Sequence, residues 1–173
     1  MALAEVIVTK GPVVDAIQAR LTSGETVSFA FPKKGPVPHD CIHLFVEEGL
    51  GLGRGFWGMV AEGLTPDTIQ ALAKSGGHAS ATRRRSPDAS IVELIQAERL
   101  VECFEADLWG GPTDCETFRG VADAACAASL VPAIALSDET IAAIRQRIAD
   151  FASEWTSSPV GAQMRFRLGE TRS

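Results

Sequence analysis

The chain has 173 residues, a formal net charge of −6 and a sequence pI near 5.1. Its 46% hydrophobic and 22% charged content is that of an ordinary globular protein, which excludes wholesale disorder. Its acidity argues against nucleic acid as the main partner, because phosphate binding needs a basic face.

The length fits a single domain over residues 1–173, with enough core that no covalent staple is required. The four cysteines, Cys41, Cys103, Cys115 and Cys126, show neither C-x-x-C pairing nor metal-finger spacing. With no export signal at the start, the expectation is a reduced, cytoplasmic protein. No apolar run approaches the roughly 18–20 residues that span a bilayer, so no membrane span is expected. A homo-oligomer and a small-molecule ligand of unknown identity stay open.

The N-terminal third reads as strands. Residues 4–10 are rich in β-branched side chains, and Val27, Phe29 and Phe31 alternate with Ser28 and Ala30, the period of two of a half-buried strand. Residues 13–21 could be strand or helix. Thr22-Ser23-Gly24 looks like a hairpin turn into the next strand, which favours strand. Three prolines and a glycine in 32–38 end the sheet.

Beyond them the chain is helical. Thr65-Pro66-Asp67 sets a cap, a proline at the first helical position and an acid in the first turn. Ser90 with Glu93 and Thr113 with Glu116 fit the capping box. After Ser137, the residues Ile141, Ile144, Ile148, Phe151 and Trp155 form one apolar stripe. Met164, Phe166 and Leu168 alternate with Arg165 and Arg167, which predicts a closing strand returning to the N-terminal sheet. Residues 75–87, with Gly76-Gly77 and Arg83-Arg84-Arg85, have no periodicity and read as a mobile, solvated loop. The expected fold is α+β: a small antiparallel sheet of N-terminal strands and a C-terminal strand, packed with several helices.

The chemistry concentrates in residues 39–47, His-Asp-x-x-His-x-x-x-Glu. On a helix over 39–48, Cys41, Ile42, Leu44, Phe45 and Val46 cover one broad face at about 100° per residue, with Ile42, Phe45 and Val46 buried. His39, Asp40, His43 and Glu47 share the opposite arc. His39 and His43, one turn apart, have Cβ atoms about 5–6 Å from each other, a spacing that lets two imidazoles reach one ion. Glu47 lies about 12 Å along the axis from His39. It therefore cannot join both on a straight helix, and is a partner of His43 or an outer group.

A third ligand must come from elsewhere. In the helix expected after Ser90, Glu98, Glu102 and Glu105 project in one arc with Ile91, Ile95 and Trp109, opposite a polar side at Glu93, Gln96 and Asp107. A carboxylate among large apolar residues needs a partner. Glu98 is the first candidate ligand, with Glu102 and Glu47 as alternatives. Asp40 stands where the general-base glutamate of H-E-x-x-H enzymes stands, one methylene shorter. It is a candidate for catalysis, for orienting an imidazole or for capping the helix. Three outcomes are open for the strip: a metal site, a hydrogen-bonded structural cluster, or simple exposure. Zinc is the first divalent metal to consider, although two imidazoles and a carboxylate also suit iron, manganese or nickel.

Gly53-x-Gly55-x-x-Gly58 matches a dinucleotide fingerprint by letter, but a helix precedes it where a strand is required. The glycines at 49, 51, 53 and 55 more naturally end the histidine helix, with Phe56 and Trp57 anchoring the next segment. The run from Pro38 to Glu47, followed by Leu50-Gly51-Leu52, Gly55-Phe56-Trp57-Gly58 and an ending with Pro159-Val160-Gly161, resembles a group of small uncharacterised bacterial proteins sharing these motifs. Its His-Asp-x-x-His pair is also similar to the coenzyme Q biosynthesis scaffold family, which holds zinc with that pair and a downstream glutamate near a lipid-binding surface. Here the next isolated glutamate is Glu62, at a different spacing from His43. The leading reading is a metal-binding domain using His39, His43 and Glu98 or Glu102. The alternatives are a non-catalytic structural or interaction domain with a His/Glu cluster, and a zinc-dependent hydrolase or lyase.

Overall fold

The computed structural model describes residues 3–76 and 86–168. Three strands, β1 (Leu3–Thr9), β2 (Val14–Leu21) and β3 (Thr26–Pro32), run from the N-terminus, and β4 (Gln163–Arg167) returns at the end. They form one antiparallel sheet in the order β3-β2-β1-β4. The ambiguous segment is thus a strand. Its alternation is clean, with Asp15, Ile17, Ala19 and Leu21 buried and their neighbours exposed.

Six α-helices lie among the described residues: α1 (His39–Leu50), α2 (Phe56–Ala61), α3 (Pro66–Ser75), α4 (Val92–Gly110), α5 (Cys115–Ala128) and α6 (Asp138–Ser157). None is long and apolar enough to cross a membrane. The expected α+β architecture is the one observed. Of the loop expected over 75–87, residues 77–85 lie outside the described residues; Ser75 closes α3, and the Asp88 N–H donates to the Gly76 carbonyl (3.1 Å).

The core lies between the sheet and the helices, and α1 runs through its middle. Phe45 is 1% exposed and meets Phe151 of α6 and Phe166 of β4 at ring separations of 5.3 and 5.2 Å. Ile42 and Val46 are fully buried, as expected. The α6 stripe of Ile141, Ile144, Ile148, Phe151 and Trp155 is buried throughout.

Three expectations are corrected. First, the two capping boxes are displaced. Asp88 rather than Ser90 accepts the first amide, opening a 3-10 turn (Ala89–Ile91) ahead of α4, and Glu93 instead accepts the Arg54 N–H. Asp114 rather than Thr113 caps α5, freeing Thr113 to contact Asp107. Both are aspartates, whose short carboxylates reach the amide two or three residues on.

Second, the side of α4 read as polar faces inward. Gln96 and Asp107 are buried, Gln96 donating to the Pro132 carbonyl and Asp107 accepting from Arg145. Third, Trp109, expected on the inward arc, is 57% exposed; at this end of α4 the residues turned to the core are Phe104, Asp107 and Leu108.

Candidate metal centre

Where β3 ends, Pro38 turns the chain into α1, and His39 is that helix's first residue. The polar arc of α1 is only partly open to water. It packs against α4, so His43 and Glu47 have side chains only 5% and 3% exposed, while His39 is 30% exposed. Simple exposure is therefore the wrong description of the strip. α1 is covered on both faces from Cys41 to Glu47, which a hydropathy pattern with one apolar side does not reveal.

Glu47 is seated by the segment that follows its own helix. Gly51, at φ 66, ends α1 in the left-handed conformation, which costs glycine least. The chain doubles back so that the backbone N–H groups of Phe56 and Trp57, at the start of α2, donate to Glu47 at 2.8 and 2.9 Å. Gly55 lies against this carboxylate so closely that a Cβ there would collide with it. The apparent nucleotide fingerprint is thus a cradle for a glutamate. Trp57, 2% exposed, anchors it by donating Nε1–H to the Asp40 carbonyl.

The rest of the site follows from Glu47. His43 Nδ1 donates to Glu47 Oε1 at 3.0 Å, and His43 Nε2 faces Glu98 Oε2 at 3.0 Å. His39 Nδ1 donates to Glu105 Oε1 at 2.9 Å, and His39 Nε2 lies 3.7 Å from Glu98 Oε1. The imidazole rings meet edge to face, 4.8 Å apart. Each Nδ1 is held by its own carboxylate, and both Nε2 atoms converge on Glu98. One donor atom from each of His39, His43 and Glu98 lies within 4.8 Å of the others, a group close enough to hold a metal ion.

The electrostatics follow from these contacts. Burial pulls each imidazole toward its neutral form, but the adjoining carboxylates outweigh it. Glu105 and Glu98 raise His39 to about 10, and Glu47 and Glu98 raise His43 to about 9. His39 first, then His43, hold Glu98 well below the ordinary carboxylate range against the opposing effect of burial. A carboxylate oxygen faces each ring nitrogen of His43, contacts that favour its doubly protonated form in the metal-free site.

The other sequence candidates divide. Glu102 does not join the group: it is 46% exposed and pairs with Arg99 at 2.7 Å. Arg99 precedes it by three residues on the same helix, giving it a partner that Glu98 lacks. Glu105 takes the role instead. It stands seven residues, two turns, after Glu98 and so returns to the same face, a signal present in the sequence. Asp40 holds neither imidazole, since Glu47 and Glu105 occupy both Nδ1 atoms. Burial pushes its carboxyl upward while the charges of His43 and His39 oppose the shift. Glu62 pairs with Arg54 at 3.0 Å. The convergence of both imidazole Nε2 atoms of α1 on Glu98 of α4 is what the fold adds to the motif. Comparison of the chain with protein-family models, with curated proteins and with solved structures found no match.

Proposed function

We propose that this chain is a metal-binding domain whose centre is His39 Nε2, His43 Nε2 and the Glu98 carboxylate, with zinc the first candidate ion. One observation carries this reading: both Nδ1 atoms are committed to carboxylates, Glu105 and Glu47. That outer arrangement fixes ring orientation and makes the opposite nitrogen more basic, as in carboxylate–histidine–zinc triads. Three protein ligands leave a coordination position open, the condition for hydrolytic or lyase chemistry. Asp40 is then the residue to consider for proton transfer.

A second reading is favoured by the contacts of His43. Both of its ring nitrogens have a carboxylate partner at 3.0 Å, so the cluster is satisfied without metal and could simply tie α1 to α4.

Elemental analysis of protein purified without chelator or metal-affinity tag separates the two. The metal reading expects near-stoichiometric metal in the wild type, loss of it in His39→Ala and His43→Ala, and weakened retention in Glu98→Gln. Metal content no higher in the wild type than in the double histidine variant, before and after incubation with zinc, would leave the structural cluster. A double-mutant cycle would then still show coupling between Glu98 and His43.

A further inference from the structure

Resting on the metal-centre reading, we infer the class of ligand that the open position accepts: a neutral oxygen or nitrogen donor carried on an apolar body, with carboxylates and phosphates excluded. Access to the centre is one-sided. His39, Glu98 and Glu105 have side chains 30, 32 and 27% exposed, whereas His43 and Glu47 are sealed at 5 and 3%. A ligand therefore arrives past His39 and Glu98, along the seam between α1 and α4.

Charge decides what may arrive. The centre gathers three carboxylates, Glu47, Glu98 and Glu105, around two imidazoles. A divalent ion on neutral imidazoles leaves this group with one surplus negative charge. Among the described residues, no lysine or arginine pairs with Glu47, Glu98 or Glu105, whose ion-pair partners are the two histidines. Arg99, beside Glu98 in sequence, is turned to Glu102, and Lys33 is held by Asp15. Sites that bind carboxylate or phosphate supply a cationic fork for it; among the described residues none is paired with these three carboxylates, and their surplus charge opposes an anion's approach to the ion.

The adjoining wall is aromatic. The Phe56 ring lies 6.2 Å from the His43 imidazole and meets Phe29 and Phe31 at the same separation. All three phenylalanines are only partly buried, so the His43 side of the centre carries apolar surface, which favours an apolar body on the ligand.

The test uses cobalt(II) in the metal-stripped full-length protein, with the visible spectrum of the bound ion as readout. Imidazole and phenylimidazole serve as neutral donors, benzoate and inorganic phosphate as anions. The expected result is that both imidazoles perturb the spectrum, phenylimidazole about tenfold more tightly, and that benzoate binds at least about tenfold more weakly than phenylimidazole. At saturating cobalt, Glu105→Gln should strengthen benzoate binding about tenfold and leave phenylimidazole little changed. Glu102→Gln, which removes the same charge from an exposed neighbour, should do much less. Cobalt bound with a spectrum unmoved by any probe, or benzoate binding as tightly as phenylimidazole, would overturn this inference alone. Failure of the wild type to bind cobalt would overturn the metal centre itself, and this inference with it.

Discussion

Helix α4 carries a charge cluster on each flank, and the two are built on opposite principles. Toward α6, Asp107 accepts from Arg145 Nε at 2.8 Å and from the Thr113 backbone N–H at 3.3 Å, and Arg145 stacks on Phe118. Toward α1, Glu98 and Glu105 face His39 and His43, with Glu47 behind. The first cluster has one acid, one base and no charge to exchange, because a guanidinium does not deprotonate in proteins. The second has more acids than bases, and its bases are imidazoles, which can give up their protons when a metal ion takes their place. Two imidazolium protons carry the same charge as one divalent ion, so the α1 flank can trade one for the other without altering its electrostatic balance. The α6 flank has no such trade to make.

The largest expected effect tests the fixed cluster. Arg145→Ala leaves the Asp107 carboxylate, 9% exposed, without its cation, and should cost about 3–5 kcal/mol of stability by chemical denaturation. Metal binding should not change. A variant that loses both would show that the two flanks are one network.

Next is the exchange itself. With His39 and His43 raised to about 10 and 9, binding a divalent ion should release about two protons near pH 7. Calorimetry in buffers of different ionisation enthalpy counts them. The same stoichiometry makes metal affinity rise about 100-fold per pH unit below pH 8. Release of no protons would mean that the imidazoles are already neutral, and the contrast between the flanks would fail.

A smaller effect probes the cradle. Gly55→Ala places a methyl group against Glu47 and should cost about 1–3 kcal/mol while loosening metal through His43, whereas Arg145→Ala acts on stability alone. Comparing metal affinity in the two variants checks this.

The mildest signature is the pH dependence of the metal-free fold. Histidines raised from 6.5 contribute stability that is complete below about pH 6.5 and is lost as pH climbs through 9 and 10. Glu98, depressed from 4.5, contributes stability present above that value and lost on acidification. Denaturation midpoints of stripped protein should thus decline from neutral toward alkaline pH. In the His39→Gln, His43→Gln double variant the alkaline decline should flatten.

The sequence made some of this legible and hid the rest for definite reasons. The α6 stripe, the Phe45 face of α1 and the closing strand each buries one face of a regular element, and periodicity reports that directly. Glu98 was recoverable because a carboxylate flanked by Leu94, Ile95 and Val101 needs a partner. Glu105 was harder to choose over Glu102, because both lie on the same arc; only the presence of Arg99 three residues before Glu102 separates them. Burial of His43 and Glu47 could not be read, since periodicity tells polar from apolar but not which polar face another helix will cover. The cradle was hidden for a different reason: its donors are the backbone N–H groups of Phe56 and Trp57, and backbone has no letter in a sequence.

The strand order has a consequence for how the protein is made. β1 is an inner strand, with β2 on one side and β4 on the other, and Thr9 waits for Gln163, 154 residues downstream. At synthesis rates of about 5–20 residues per second, one edge of β1 stays open for roughly 8–30 s while the helices emerge. Through that interval Val6 and Val8 belong to an unpaired strand edge, the kind of surface on which nascent chains aggregate. Lys10, which ends by donating to the carbonyls of Trp155 and Ser158 at the close of α6, waits as long for its acceptors. Vulnerability during synthesis is therefore concentrated in the first strand made and relieved by the last, and the rate of translation sets its duration.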